Sequence, residues 1–287
     1  ALTLHIDLSG AAELSGEITV NDLVLPAPLG SVGAVRVRCD TLAHDAAGTR
    51  CRGQAEIARL LGEAVNATVQ IAHESASGRV HVVLQALQLA AGQWRLEAQL
   101  QDGRWQLAAQ GAQIDAAAVR DLLRRALPAF DYTLAGRVNL DRQVQGDAAG
   151  IGAVQFDLDS ESLDFANASG TQAGEKLRLD IGGRGQRRGA DWQGDARMVL
   201  SGGALFFDPL YLEPTSATVL QLSSQLNWSA AQHRLRLTDL ALNHAGVAQA
   251  QADAELRWND TVTLNAIDLD LREAQLPGAY VNYIQPW

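Results

Sequence analysis

Positive charge is scarce in this sequence. Lys and Arg number 23 against 33 Asp and Glu, a formal net charge of −10. A nucleic-acid backbone needs a concentrated basic face, so that partner is excluded from the reading. The one basic knot is Arg184, Arg187 and Arg188 in GGRGQRRGADW; it reads as a solvated, glycine-rich turn in preference to a phosphate or headgroup contact. Long apolar runs are also missing, and nothing approaches the roughly 20 residues that span a bilayer. Aromatics make up only 5% of the chain, so Leu, Val and Ala must fill the interior. Many of the 26 glycines stand in alternating runs, which points to close-packed strands and many turns.

Signatures of chemistry are missing too. There is no GxGxxG at a strand-to-helix junction, no GxxxxGK[ST] and no HExxH. Gly182-Gly183-Arg184-Gly185 reads as a turn between strands, and Ser9, Ser15, Ser201 and Ser216 lack the GxSxG of a nucleophile elbow. The histidines, His5, His44, His73, His81, His233 and His244, are scattered. His73 and His81 flank the Ser75–Gly78 turn, where they would face each other without a third ligand. Asp157 shares a face with Asp159, and Asp268 with Asp270. Paired acids serve glycosidases at set separations, but regular placement on the polar side of amphipathic strands reads as solvation. The expectation is a protein that is not an enzyme, with no cofactor and no metal.

Cysteine is limited to Cys39 and Cys51, in VRCDTLAHDAAGTRCRG. Asp, Ala, Ala and Gly between them make a good turn, and two strands joined there would set the sulfurs opposite each other. A disulfide closing so short a loop contributes roughly 2–4 kcal/mol and belongs to an oxidising compartment such as the periplasm; the alternative is two buried thiols. With His44 the pair offers three ligands, whereas a structural zinc wants four.

What the sequence does contain is alternation. In GQWRLEAQLQDGRWQLAAQG, Trp94, Leu96, Ala98 and Leu100 alternate with polar residues, and after Gln101-Asp102-Gly103 the pattern resumes at Trp105, Leu107 and Ala109. This is a hairpin with one apolar face and one polar face. Similar writing covers LTLHIDL, AELSGEITV and NDLVLP, then the cysteine hairpin over 33–57, then VNATVQIAHES and GRVHVVLQALQL. It returns from YTLAGRVNL through IGAVQFDLD, ESLDFAN, KLRLDIGG and DWQGDARMVLSGG, and the last 90 residues are nearly pure meander. The one convincing helix is DAAAVRDLLRRALP, capped by Asp115 and stopped by Pro128; AEIARLL at 55–61 allows helix or strand. Trp192, Trp228 and Trp258 each sit in a strand near a turn, and the last two, ending the like phrases SQLNW and AELRW, point to a duplicated unit of about 30 residues.

The expected fold is all-β: an extended, twisted antiparallel sheet curled into a groove, with one short α-helix near 115–127. Residues 1–130 form an N-terminal segment with the cysteine hairpin and helix, and 131–287 a C-terminal meander continuous with it. An apolar strand face must be covered by protein, a partner or an apolar ligand. The candidate groove lining is Trp94, Leu96, Leu100, Trp105 and Leu107 in the first segment. In the second it is Phe156, Leu158, Leu222, Leu226 and Trp228, then Leu235, Leu237, Leu264, Ile267 and Leu269. Leu264 has the wrong parity for Ile267 and Leu269 unless a bulge intervenes. Leu122, Leu123 and Leu127 of the helix would plug one end. The structural alternative at every such position is plain core.

The L-x-x-L-x-L rhythm of RLRLTDLAL and LNAIDLDL, the segment CDTLAHDAAGTRC and the ending LPGAYVNYIQPW resemble the AsmA-like group of Gram-negative envelope proteins, with its TamB-type and YdbH-type members. The YdbH-like branch is nearest, and the type II secretion N protein has similar β-rich writing. The resemblance spans most of the chain and carries no catalytic motif. It implies a periplasmic β-rich bridge whose parent is anchored in the inner membrane, and an apolar trough conducting phospholipids to the outer membrane. ALTLHIDLSG reads as a strand and not a signal peptide, so this chain is expected to be an internal piece. The alternative function is a structural or assembly scaffold that binds envelope protein partners through exposed strand edges.

Overall fold

A computed structural model describes residues 2–7, 14–24, 31–60, 63–126, 130–208, 210–258 and 262–275. About 80% of them lie in strands. The strands are β1 (Leu2–Asp7), β2 (Leu14–Val24), β3 (Ser31–Asp45), β4 (Gly48–Leu60), β5 (Glu63–Glu74), β6 (Val80–Leu89), β7 (Gly92–Gln101) and β8 (Arg104–Asp115). After helix α1 (Ala116–Ala126) come β9 (Thr133–Asp147), β10 (Gly150–Ala166), β11 (Gln172–Arg188), β12 (Asp191–Phe207) and β13 (Leu210–Leu212). The last four are β14 (Leu220–Ser229), β15 (Arg234–His244), β16 (Ala248–Trp258) and β17 (Val262–Ala274).

The chain divides into two compact units, 1–130 with 143–150, and 131–142 with 151–287. In the first, β1 to β8 pair antiparallel, each with its successor. In the second, β10 to β17 do the same, except that β12 pairs with both the short β13 and β14. Neither ladder is closed into a barrel. The all-β antiparallel fold with one short helix is therefore as the alternation predicts.

Several local expectations change. AEIARLL is strand, inside β4. IGAVQFDLD and ESLDFAN are one strand, β10, with a bulge between Ser160 and Leu163. Helix α1 starts where expected: Asp115 Oδ1 accepts the amide of Ala117 at 2.8 Å, which satisfies one free donor of the first turn. Leu127 and Pro128 lie outside the described residues. The cysteines form the Cys39–Cys51 disulfide, with Cα atoms 5.4 Å apart across the β3–β4 hairpin.

The largest correction concerns Gly182-Gly183-Arg184-Gly185. It is no turn; it lies within β11, and the turn falls at Gly189 and Ala190, with Gly189 at φ 66°. Gly182 and Gly183 each make room for a neighbour. A Cβ at Gly182 would come within 2.6 Å of Asp157 Oδ1 and 2.8 Å of Arg197 Nε. Its absence lets Arg197 reach Asp157 at 2.9 Å across the intervening strand. On the other face, Phe156 lies opposite Gly183 in register, and its ring would meet a Cβ there at 2.9 Å.

The same device recurs: Trp94 lies over Gly111, Trp105 over Gly146, and Phe165 over Gly174. Glycine in these strands therefore leaves room for an aromatic ring against the sheet. Gly111 is the sharpest case, with Trp94 Cε3 at 2.8 Å and Ile114 Cδ1 at 2.7 Å from a built Cβ. Gly111→Val is expected to destabilise the first unit by about 1–3 kcal/mol, as overpacking does, read as a lower urea midpoint. A midpoint equal to the parent's contradicts the ring-seat role.

Burial adds a pH dependence at His244, 1% exposed at the end of β15. Burial pushes its imidazole below the ordinary value, against an opposing backbone hydrogen bond at Thr218. Above an unfolded pKa of about 6.5 both states are neutral and nothing is lost. As pH falls through that value, the unfolded chain takes up a proton that the folded chain refuses, so stability declines until the folded pKa is reached. The melting temperature is expected to fall between pH 7.5 and 5.5, and His244→Leu to flatten that slope. An unchanged slope in the variant assigns the decline elsewhere.

Candidate apolar faces of the two units

Cross-strand register decides which side chains share a face. In the first unit Trp94, Leu96, Ala98 and Leu100 of β7 lie opposite Gly111, Ala109, Leu107 and Trp105 of β8. Trp94, Leu96, Leu100, Trp105 and Leu107 therefore do occupy one face. The two tryptophans are pinned on it. Trp94 Nε1 donates to the Leu89 carbonyl at 2.9 Å, and Trp105 Nε1 to the Asp147 carbonyl at 3.2 Å. Leu96 is half-buried, while Leu100 and Leu107, nearer the β7–β8 turn, are exposed. Further back, Ala55, Val65, Ala67 and Val69 are fully buried.

In the second unit one apolar face crosses seven strands. Phe156 and Leu158 of β10 lie opposite Gly183 and Ile181. Leu222, Leu226 and Trp228 of β14 lie opposite Met198, Gly194 and Trp192 of β12. On β15 the face is Leu235 and Leu237, then Leu240 and Leu242 beyond a register shift. On β17 Ile267 lies opposite Ala254, Leu269 opposite Ala252, and Leu264 opposite Leu256. Because a shift falls between Glu255 and Leu256, the parity conflict at Leu264 disappears and all three β17 residues share the face. Leu163, Phe165, Leu240, Leu242 and Leu271 belong to it as well. Strict alternation misses most of these, because bulges reverse the parity part-way along β10 and β15.

Two bulged residues with positive φ, Lys176 and Asp239, turn their amides to carboxylates on the adjacent strand. Lys176 N donates to Asp164 Oδ1 at 2.6 Å, and Asp239 N to Asp253 Oδ1 at 3.0 Å. Some acids of the polar face thus satisfy the backbone where the ladder breaks.

Burial on the second face is graded. Leu177, Leu200 and Leu220 form a closed cluster, joined by Leu163, Phe165, Leu179, Leu205, Leu212, Leu222 and Leu242. Away from it Phe156, Leu158, Leu226, Trp228, Leu235 and Leu237 are only half-buried. On β17 Leu264, Ile267, Leu269 and Leu271 are 56%, 57%, 65% and 61% exposed. A monomer seldom leaves so much contiguous apolar surface bare. Of the helical residues, Leu123 is half-buried; the side chain of Leu122 lies outside the described set, as does Leu127.

The polar faces hold ion pairs and solvated acids. Arg197 also reaches Asp180 at 3.5 Å, and Arg272 reaches Asp270 at 2.8 Å. His81 does not meet His73: it pairs in register with Ala72 and Gln99, and its Nε2 lies 2.9 Å from Glu97 Oε1. The hydrogen bond from His81 holds the Glu97 carboxyl below its usual range, against the opposing effect of burial. A pocket of about 270 Å³ in the first unit is lined by Thr19, Asn21, Glu56, Val65 and Arg36, the last bridging Glu17 at 3.3 Å and Glu56 at 3.4 Å. Among the described residues no three His, Cys, Asp or Glu side chains gather as a metal-binding group, and no helix is long and apolar enough to cross a membrane. No protein-family model, curated protein or solved structure matches the chain.

Proposed function

We propose that this chain is a non-catalytic segment of a Gram-negative envelope protein, working in the periplasm, whose apolar sheet faces bind phospholipid acyl chains and pass them between the inner and outer membranes. The observation that carries the reading is the second unit's face, continuous over seven strands and closed by its own core only around Leu177, Leu200 and Leu220. Hydrocarbon on the remaining half-exposed leucines would gain about 25 cal/mol for each Å² withdrawn from water. The Cys39–Cys51 disulfide supports an oxidising compartment. Native mass spectrometry of the purified chain should reveal co-purified phospholipid. A photoreactive residue at Leu226 should crosslink to it and one at Asn227, on the opposite face, should not. Equal labelling at both sites, or none at either, overturns the reading.

One observation favours a scaffold instead: residues 263–274 of β17 are all exposed, and such a strand offers its edge to a partner strand. Capture of a protein at β17, with no lipid at Leu226, would decide for that alternative.

A further inference from the structure

The hairpin-turn end of the second unit differs in charge from the rest of the chain. The end of β11 carries Arg184, Arg187 and Arg188; the start of β15 carries Arg234 and Arg236; the end of β16 carries Arg257. The register aligns them: Arg188 with Asp191, Asp191 with Ser229, Ser229 with Arg234, and Arg234 with Arg257. Among the described residues, three acids stand among these six arginines. Asp195 pairs with Arg184, Asp191 sits at the turn, and Glu255 is shared by Arg234 at 3.8 Å, Arg236 at 3.2 Å and Arg257 at 3.4 Å. The balance is positive in a chain whose net charge is −10. At the other end of the second unit Asp164, Glu175, Asp208, Glu213 and Glu273 outnumber Lys176, Arg178 and Arg272.

On β11, β12 and β14 the basic end is also where the apolar face stays open, while on β17 the face is exposed along the strand. Trp192 and Trp228 lie opposite each other in register, both half-buried, and Arg187 lies opposite Trp192 on that face. The closed leucine cluster lies at the far, acidic end of the strands. Indole beside arginine, at the rim of an apolar surface, is the combination that settles at the boundary between hydrocarbon and headgroups.

We propose that this rim docks the protein on a bilayer surface bearing anionic phospholipid headgroups, with Arg187, Arg188, Arg234, Arg236 and Arg257 facing the phosphates and Trp192 and Trp228 at the interface. It rests on the acyl-chain reading, because docking here presents the open end of the apolar face to the lipid it would receive. Guanidinium suits the task, being always charged and matched to phosphate oxygens in bidentate fashion.

The test is co-sedimentation of the whole chain with vesicles of phosphatidylcholine, with and without about one-third phosphatidylglycerol, near physiological salt. Binding is expected only with the anionic lipid. Each arginine near such a surface is worth about fivefold in affinity, so Arg187→Gln with Arg188→Gln should weaken binding by more than tenfold. Arg178→Gln with Arg272→Gln, away from this rim, should leave it unchanged. Equal sedimentation with both vesicle types overturns the proposal, as does an unaffected rim variant. Release by millimolar inorganic phosphate at constant ionic strength also overturns it and assigns the arginines to a free anion. A fluorescent fatty acid, titrated without vesicles, separates the two readings: the rim variant should bind it like the parent, and failure of the parent to bind it would strike the acyl-chain reading while the vesicle result stands by itself.

Discussion

Leu200→Ala is expected to cost the second unit about 2.7–5 kcal/mol, the range for emptying a well-packed leucine site. Leu200 is 1% exposed and sits in register between Leu179 of β11 and Leu220 of β14. Leu163, Phe165, Leu205 and Leu212 pack around the same cluster. These neighbours belong to separate strands with their own ladder bonds, so they cannot collapse far into the space left behind. A domain's net stability is about 5–15 kcal/mol, so the variant loses a large share of it. Leu226→Ala, on the same face but half-buried, removes the same atoms from a site already in contact with water and should cost much less. Urea unfolding followed by circular dichroism, with hydrogen exchange on β11, β12 and β14, reads both. Equal losses for the two variants would mean that the face is closed throughout, and the acyl-chain proposal would lose its basis.

Alternation reveals the strands because side chains on successive residues point to opposite sides. That is why the hairpin at Trp94–Trp105, the polar placement of Asp157 and Asp159, and the pairing of Leu235 with Leu237 are legible in the sequence. Three things are not. A bulge adds one residue and reverses the parity, so Leu240, Leu242 and Leu163 escape a strict period of two, and Leu264 looks misplaced until the shift at Glu255 and Leu256 is known. Glycine punctuates turns far more often than it seats rings, so GGRG looks like a turn when it gives Phe156 and Arg197 their room. Alternation also cannot say how much of an apolar face the chain covers by itself. Leu200 and Leu226 stand in equivalent parts of the pattern, yet one is sealed and the other half-open.

The glycine seats bear on the second face as well as on its stability. Phe156 lies over Gly183, and Gly194, Ala196 and Ser224 are small residues between the flanking leucines. Small residues therefore stand between Phe156 and the pair Leu226 and Leu237. On the proposed reading, that strip would suit a flexible hydrocarbon chain, which needs surface and not directional bonds.

That strip is where the largest functional effect is expected. Leu226 of β14 and Leu237 of β15 lie directly opposite each other, so Leu226→Glu with Leu237→Glu sets two carboxylates side by side on the proposed path. An acyl chain there would have to strip water from both charges without offering a hydrogen bond in return, and unpaired burial of a charge costs several kcal/mol. Binding of a fluorescent fatty acid should fall by at least tenfold. The fold should survive, because both side chains already touch water and glutamates at half-open positions can stay hydrated. The matched control is Gln221→Glu with Asn243→Glu, an exposed register pair on the polar face of the same two strands, where the same two carboxylates should leave acyl binding within twofold of the parent. Circular dichroism and the thermal midpoint separate unfolding from loss of the site. A folded Leu226→Glu, Leu237→Glu variant that binds the probe as tightly as the parent would place the acyl chain elsewhere, and the open half of this face would then have to be explained by a protein partner.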